Sequence, residues 1–155
     1  MIPPDLVVKA CAFELFSGHV FMDRQLLFDA VASKGYPNEH PEYEPVFRQA
    51  LLANMGDAAI DVLATEHLIR DRGMRDAGEI TTARGRLVRR SSLNRLGMTI
   101  IRFVAMTSGE ENELYHSSTP GESLEAMVGA LFLDGGLPAA KRMLTAVGFY
   151  ENMED

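Results

Sequence analysis

Two acidic residues lie in stretches that are otherwise almost entirely apolar, where a carboxylate needs a partner. Asp57 lies near the middle of residues 50–64, a run of helical composition without a continuous polar face. Glu125 is the only acid in residues 124–133. A lone carboxylate in such surroundings is costly unless it is protonated, paired or bound to a metal ion. These two acids are therefore the first candidates for chemistry.

Further acids accompany each of them. Asp61 follows Asp57 by one helical turn, and Glu122 shares a helix face with Glu125. Two nearly all-apolar helices in a small domain are expected to be neighbours, so their acids have a reason to converge. Asp57, Glu122 and Glu125 would then offer only oxygen ligands, which suit Mg²⁺ or Mn²⁺ rather than zinc. Such sites usually perform phosphoryl chemistry, in which the metal activates water and neutralises charge on the phosphate.

Simpler explanations stay open for each acid. Glu122 fits a capping box with Thr119, and Asp61 can reach solvent or pair with a basic residue. Asp57 and Glu125 can instead form buried ion pairs.

The elements that must position these acids are almost all predicted to be helices, and we expect an all-α fold in one domain over residues 1–155. An amphipathic segment at 6–16 ends near Gly18, and Asp23 is a plausible N-cap for a helix over 24–33. The long acid-bearing run reaches from 46 to 69 after a proline-rich loop at 34–45. The remaining predicted helices cover 78–97, 99–106, 119–133 and 138–147, with an exposed loop at 107–118, a break at 134–136 and a frayed acidic tail to Asp155.

Composition narrows the class of protein. The formal net charge of −7 counts against strong nucleic-acid binding by charge alone, although it leaves room for a local basic face. No apolar run is long enough to cross a bilayer, and the N-terminus lacks the pattern of a secretory signal, so no membrane partner is expected. The single Cys11 excludes an intrachain disulfide and fits a reducing compartment. We expect an intracellular protein, cytoplasmic in the first place, with the mitochondrion or nucleus as alternatives.

Residues 52–58 and 123–136 resemble the two signatures of the ribonuclease III endonuclease domain. The first reads Leu-Ala-Asn-Met-Gly-Asp-Ala, and the second reads Ser-Leu-Glu-Ala-Met-Val-Gly-Ala-Leu-Phe-Leu-Asp-Gly-Gly. Residues 18–27, 78–81 and 87–93 resemble other segments of the family in the same order, so the resemblance covers about 14–147. It implies a dimeric all-α domain that cleaves double-stranded RNA with magnesium. It also implies that Asp57 and Glu125 are the catalytic pair and that Glu122 is a third metal ligand.

Several positions depart from the family pattern. Ala53 stands where the first signature has glutamate, Ala50 replaces another acid, and Asn54 replaces a phenylalanine that packs against the dimer partner in many members. An acidic stretch at 109–113 replaces basic residues, and no double-stranded RNA-binding domain is evident. The minimal branch called Mini-III also has alanine at the position of Ala53, so Ala53 alone does not argue against activity.

Five of the fifteen basic residues fall in the predicted helix over 78–97, with Arg86 and Arg90 expected on one face. By the resemblance, four residues of this helix are candidates for RNA binding: Arg86, Arg89, Arg90 and Glu79. A solvated helix face balanced by nearby acids is the simpler interpretation.

Two functional hypotheses follow. The first is a magnesium-dependent, double-strand-specific endoribonuclease that acts as a homodimer. The alternative is a degenerate member of the family with a structural or RNA-binding role, such as a mitochondrial ribosomal component or the inactive half of a heterodimer.

Overall fold

The computed structural model describes residues 1–151, and the predicted tail up to Asp155 lies outside them beyond Glu151. The all-α prediction is confirmed, because the only β-type pairing among the described residues is an isolated bridge between Ala32 and Ala105. Short 3₁₀ turns lie at Ile101–Phe103, Leu114–His116 and Phe149–Glu151. The α-helices are α1 Pro4–Ser17, α2 Arg24–Val31, α3 Tyr36–Glu39, α4 Gln49–Arg70, α5 Ala77–Val88, α6 Arg90–Met98, α7 Ser108–Asn112 and α8 Thr119–Ala146.

Helices α4 and α8 form the centre of the fold and make the most extensive contact between any two described elements. They cross where glycines face the opposite backbone. A Cβ at Gly56 would collide with the carbonyl oxygen of Glu125, and a Cβ at Gly129 would collide with that of Leu52. The two backbones can approach this closely only because neither glycine carries a side chain. The predicted convergence of the two acid-bearing helices is therefore confirmed.

The prediction of one helix over residues 78–97 is wrong. The chain breaks at Arg89, whose extended backbone (φ −62°, ψ 152°) separates α5 from α6. Ser92 secures the break, because its hydroxyl donates to the Arg86 carbonyl at 3.1 Å and accepts from Arg89 Nε at 3.3 Å. Arg86 and Arg90 consequently lie on different helices and do not share one helical face.

Three other local predictions need correction. Residues 99–106 form only a 3₁₀ turn before Ala105, whose N–H donates to the Val31 carbonyl at 2.8 Å. The predicted loop at 107–118 contains α7, which Thr107 and Glu110 open with a reciprocal capping box. The capping box predicted at Thr119 is absent, because α8 begins at Thr119 and Ser118 is its N-cap.

The break predicted at 134–136 is present as a kink in α8 at Gly136, where φ is +73°. Asp134, just before the kink, holds the N-terminal segment in place. Its carboxylate accepts from the backbone N–H groups of Met22 and Asp23 and contacts His19 Nε2 at 2.7 Å. Burial alone would raise the pKa of Asp134, but these hydrogen bonds and the electrostatic effect of His19 lower it.

Helix α4 is not buried on all sides, contrary to its apolar composition. Asp57 and Ala58 are exposed, and so are Leu51 and Val62. Its opposite side, including Leu52, is fully buried against α8. In the part of the chain that the structure describes, no helix is long and apolar enough to span a bilayer.

Replacing Gly56 with alanine should lower the free energy of unfolding by about 2–3 kcal/mol, because the added Cβ would push α4 and α8 apart. Gly85, on α5, is the matched control, since a Cβ there meets no atom within 4 Å. Gly85→Ala should raise stability by up to about 1 kcal/mol through helix propensity alone. Urea denaturation of both variants checks this, and a Gly56→Ala protein as stable as the wild type would contradict the close crossing.

Candidate active site

The crossing of α4 and α8 brings Asp57 and Glu125 into contact. Asp57 follows Gly56 directly, and Gly56 packs against the backbone of Glu125. The Asp57 side chain is near enough to act on the Glu125 carboxyl group through hydrogen bonding, which contributes to the raised pKa of Glu125. Two carboxyl groups can make such a bond only when one of them carries a proton.

Glu125 is the half-buried member of this pair. Its pKa is raised to about 8, chiefly by burial and then by the hydrogen bond and negative charge of Asp57. The charges of Glu122 and Asp61 add to the effect. The pKa of Asp61 is itself raised by burial and by Asp57, with Arg84 acting in the opposite direction. The structure thus places four acids within electrostatic reach of one another.

Glu122 belongs to this acidic group and lines both cavities at the site with Asp57 and Glu125. Its carboxylate accepts a hydrogen bond from the Ser118 hydroxyl. Within residues 1–151, no three His, Cys, Asp or Glu side chains are placed closely enough to hold a metal ion as they stand. A site of three carboxylates would therefore require some movement of the Asp57, Glu122 or Glu125 side chains.

A cavity of about 320 Å³ opens on one side of the acids. Arg90, Asn94 and Ser118 line it together with the three acids of the predicted metal site. Asn94 is held in place by the start of α8, because its side-chain oxygen accepts from Gly121 N–H at 2.9 Å. One arginine and one asparagine therefore line this cavity together with the acids.

A second cavity, of about 380 Å³, shares Asp57, Glu122 and Glu125 with the first. Its remaining lining residues come from the start of α4 and from the turn between α2 and α3, and they are Gln49, Ala50, Ala53, Asn54 and Lys34. The two alanines that depart from the family pattern therefore adjoin the acids, and they leave open space where longer side chains would reach.

The four predicted RNA-binding residues are not brought together. Only Arg90 lines a cavity at the acids. Arg89 caps α6 and bonds Ser92, Arg86 is exposed in the last turn of α5, and Glu79 is exposed in the first turn of α5. The break at Arg89 is the physical reason for this separation.

Sequence reasoning missed Lys34, Asn94 and Ser118, all of which line the cavities beside the acids. Lys34 lies in a loop, where no periodic pattern marks a functional side chain. Asn94 and Ser118 have ordinary helix and cap compositions. The run Ser117-Ser118-Thr119-Pro120 did contain a second candidate cap, which would have placed Ser118 beside Glu122.

Comparison with known proteins supports a family assignment. Residues 50–136 match the model of the ribonuclease III domain, and this range contains Asp57, Glu122 and Glu125. The ribonuclease 3 of Nitratidesulfovibrio vulgaris is 33% identical in an alignment 138 positions long that covers 84% of this chain and 52% of that protein. The ribonuclease 3 of Symbiobacterium thermophilum is 34% identical in an alignment 130 positions long that covers 82% of this chain and 54% of that protein. The chain therefore spans about half the length of these curated relatives.

Solved structures agree with this assignment at the level of the fold. Two structures of the ribonuclease III nuclease domain of Campylobacter jejuni, both 24% identical, superpose with TM-scores of 0.71 and 0.69. Each covers 88% of this chain, and this chain covers 94% and 91% of theirs. One of the two is described as having structural flexibility in its region involved in dimer formation. The domain match over more than half of the sequence, together with these relatives, shows that the chain belongs to the ribonuclease III family.

Proposed function

We propose that this protein is a magnesium-dependent endoribonuclease that hydrolyses phosphodiester bonds in double-stranded RNA as a homodimer. In this proposal Asp57 and Glu125 are the catalytic pair, and Glu122 joins them as a third ligand. The observation that carries the proposal is the crossing of α4 and α8, where Gly56 packs against Glu125 and Asp57 and Glu125 line the same two open cavities. Membership of the ribonuclease III family supports the same reaction class.

The donor chemistry of the site fits a divalent hard cation. All three candidate ligands are carboxylates, and no ion pair within the described residues involves Asp57, Glu122 or Glu125. The proton that Glu125 retains relieves its repulsion with the neighbouring acids, and a cation would relieve it in the same place. Mg²⁺ fits oxygen-only ligands best, and Mn²⁺ is an alternative.

A bound magnesium ion would activate water for attack and neutralise charge on the phosphate. The chain would contribute positioning and charge. Asp57 is exposed and can face the substrate directly, whereas Glu125 must first release its proton to act as a ligand. Glu122, whose carboxylate accepts a hydrogen bond from Ser118, would add the third carboxylate. Arg90, which lines the same cavity, would bind a phosphate oxygen of the strand.

An exposed apolar stripe along α4 supports the homodimer. Leu51, Met55, Ala58, Val62 and Ile69 recur at helical spacing on this helix. Leu51 is 57% exposed, Val62 53% and Ile69 39%. Large apolar side chains left in water along one helix face favour a protein partner, and a second copy would align the same helix of both chains.

An intracellular location remains our proposal. Both curated relatives named above are bacterial proteins, which gives no support to a mitochondrial or nuclear location.

The alternative hypothesis, a degenerate member of the family without nuclease activity, is still motivated by Ala50 and Ala53. Both residues line the cavity beside the acids.

Glu125→Gln and Asp57→Asn should each reduce cleavage of a long RNA duplex in Mg²⁺ by at least about a thousandfold, because each removes a ligand charge that neighbouring side chains do not replace. Glu39→Gln, which changes an exposed acid on α3, should cleave like the wild type. Gel analysis of the products checks this. Intact RNA with the wild type at high enzyme concentration, in both Mg²⁺ and Mn²⁺, would favour the degenerate role instead.

Without divalent ions, wild-type stability should fall as the pH rises from about 5 to about 8.5. Folded Glu125 keeps its proton up to a pKa of about 8, whereas the unfolded chain loses that proton near the ordinary value of 4.5. Between these values the unfolded state binds fewer protons and is favoured by rising pH. Relative to the wild type, Glu125→Gln should therefore gain about 1–2 kcal/mol across this range, after allowance for solvent screening.

Chemical denaturation in EDTA at several pH values measures this difference. Adding Mg²⁺ at pH 8.5 should stabilise the wild type and leave Glu125→Gln unchanged. A stability difference that does not vary with pH would contradict the raised pKa of Glu125.

Ala53→Glu should lower the magnesium concentration for half-maximal cleavage by about three- to tenfold, because it adds a carboxylate to the cavity that holds the acids. Ala146→Glu adds the same charge at the exposed end of α8 and should leave the curve unchanged. Cleavage rates over a magnesium titration compare the variants. Equal midpoints for Ala53→Glu and the wild type would refute the idea that Ala53 weakens metal binding.

A further inference from the structure

Lys34 is a cation of the acidic site that neither family signature contains. It lines the cavity of about 380 Å³ together with Asp57, Glu122 and Glu125. Its side chain is exposed, and within the described residues it makes no ion pair or side-chain hydrogen bond. Lys34 therefore lines the same cavity as the acids without forming an ion pair with any of them.

The backbone on both sides of Lys34 is held rigidly. The Glu110 carboxylate accepts from the Ser33 hydroxyl at 2.5 Å and from Gly35 N–H at 3.1 Å. Ser33 N–H also donates to the Ala105 carbonyl at 3.0 Å. A long side chain that projects from a fixed turn loses less freedom when it binds a ligand than one on a mobile loop.

Through Glu110, the acidic helix α7 has a structural role: it holds the backbone on both sides of Lys34. Glu110 is only partly exposed, and its two oxygens are fully engaged with Thr107, Ser33 and Gly35. The acid therefore fixes the turn that presents Lys34.

Apart from Asp57, Glu122 and Glu125, which would hold the proposed metal ion, the lining of this cavity suits an anion better than a second metal ion. Ala50 and Ala53 offer no ligand atoms, and Asn54 adds a neutral amide. A second divalent ion there would meet an ammonium group in place of further carboxylates. An ammonium next to an amide and a short apolar floor fits a phosphate group.

Lys34 and Arg90 stand in different cavities that share the same three acids. Each cavity thus supplies one cation beside the carboxylate pair. A nucleic-acid strand that passed over the acids would present successive phosphates to both sides.

We propose that Lys34 binds a phosphate of the RNA backbone next to the phosphate at which the strand is cleaved. Glu110 positions Lys34 by fixing the turn from Ser33 to Gly35. The inference rests on the proposed function, because it takes the acidic pair to be the site of cleavage. Lys34 supplies substrate affinity, and Asp57 and Glu125 supply the chemistry.

Kinetics on one defined RNA duplex in Mg²⁺ test this assignment. Lys34→Gln should raise KM about five- to twentyfold with less than about a twofold change in kcat, because a phosphate contact is lost from a site whose carboxylates are intact. Lys34→Arg should retain most of the affinity. Lys141→Gln, which removes an exposed lysine beside Glu66, is the matched control and should behave like the wild type.

Binding without cleavage provides an independent readout. In a Glu125→Gln background, the slope of log Kd against log salt concentration should fall by about one when Lys34 is replaced by Gln. Lys141→Gln should leave that slope unchanged.

Glu110→Ala tests the positioning role. It should raise KM less than Lys34→Gln does, and it should add little when Lys34 is already glutamine, because both changes act through one contact. Circular dichroism and a thermal melt establish that each variant is folded.

The outcomes separate the two proposals. If the wild type cleaves RNA while Lys34→Gln has an unchanged KM and salt slope, the role of Lys34 is refuted and the proposed function stands. If the wild type binds the duplex through Lys34 without cleaving it, the nuclease proposal fails and the phosphate contact stands. A wild type that neither binds nor cleaves the duplex contradicts both.

Discussion

The close crossing of α4 and α8 is the contact on which the rest of the structure depends. Gly56 and Gly129 let each helix place its backbone against a carbonyl of the other. Because Asp57 is next to Gly56 and Gly56 packs against Glu125, the same packing that forms the core also brings two carboxyl groups together. The same helix crossing therefore determines the packing of the core and the position of the acids. A side chain at Gly56 or Gly129 would disturb both.

This arrangement holds acids in a cluster that is unfavourable unless a positive charge or a proton offsets it. Burial and neighbouring acids raise the pKa of Glu125 to about 8, and the bond to Asp57 accommodates the retained proton. Arg90 and Lys34 stand at the sides without forming ion pairs with the acids in the described residues. Because Arg90 and Lys34 do not neutralise the carboxylates, these remain free to bind a metal ion. A metal-dependent reaction on a polyanion requires such free ligands.

Much of the fold was predictable, because apolar composition identifies the two central helices. The isolated acids in these helices indicate a functional site. The close crossing of α4 and α8 was not predictable, since it depends on Gly56 and Gly129, which are far apart in sequence. The break at Arg89 also escaped prediction, because no glycine or proline marks it and Ser92 secures it through contacts with Arg86 and Arg89. Lys34 was missed for a similar reason: its position depends on Glu110, a contact that no local pattern encodes.

The central claim is that a divalent cation binds at Asp57 and Glu125 and displaces the proton that Glu125 retains. Calorimetric titration of the wild type with Mg²⁺ at pH 7, repeated in buffers of different ionisation enthalpy, measures the protons released on binding. The account predicts release of close to one proton, and loss of both the binding and the release in Glu125→Gln. Magnesium binding that releases no proton, or that survives Glu125→Gln unchanged, would contradict it.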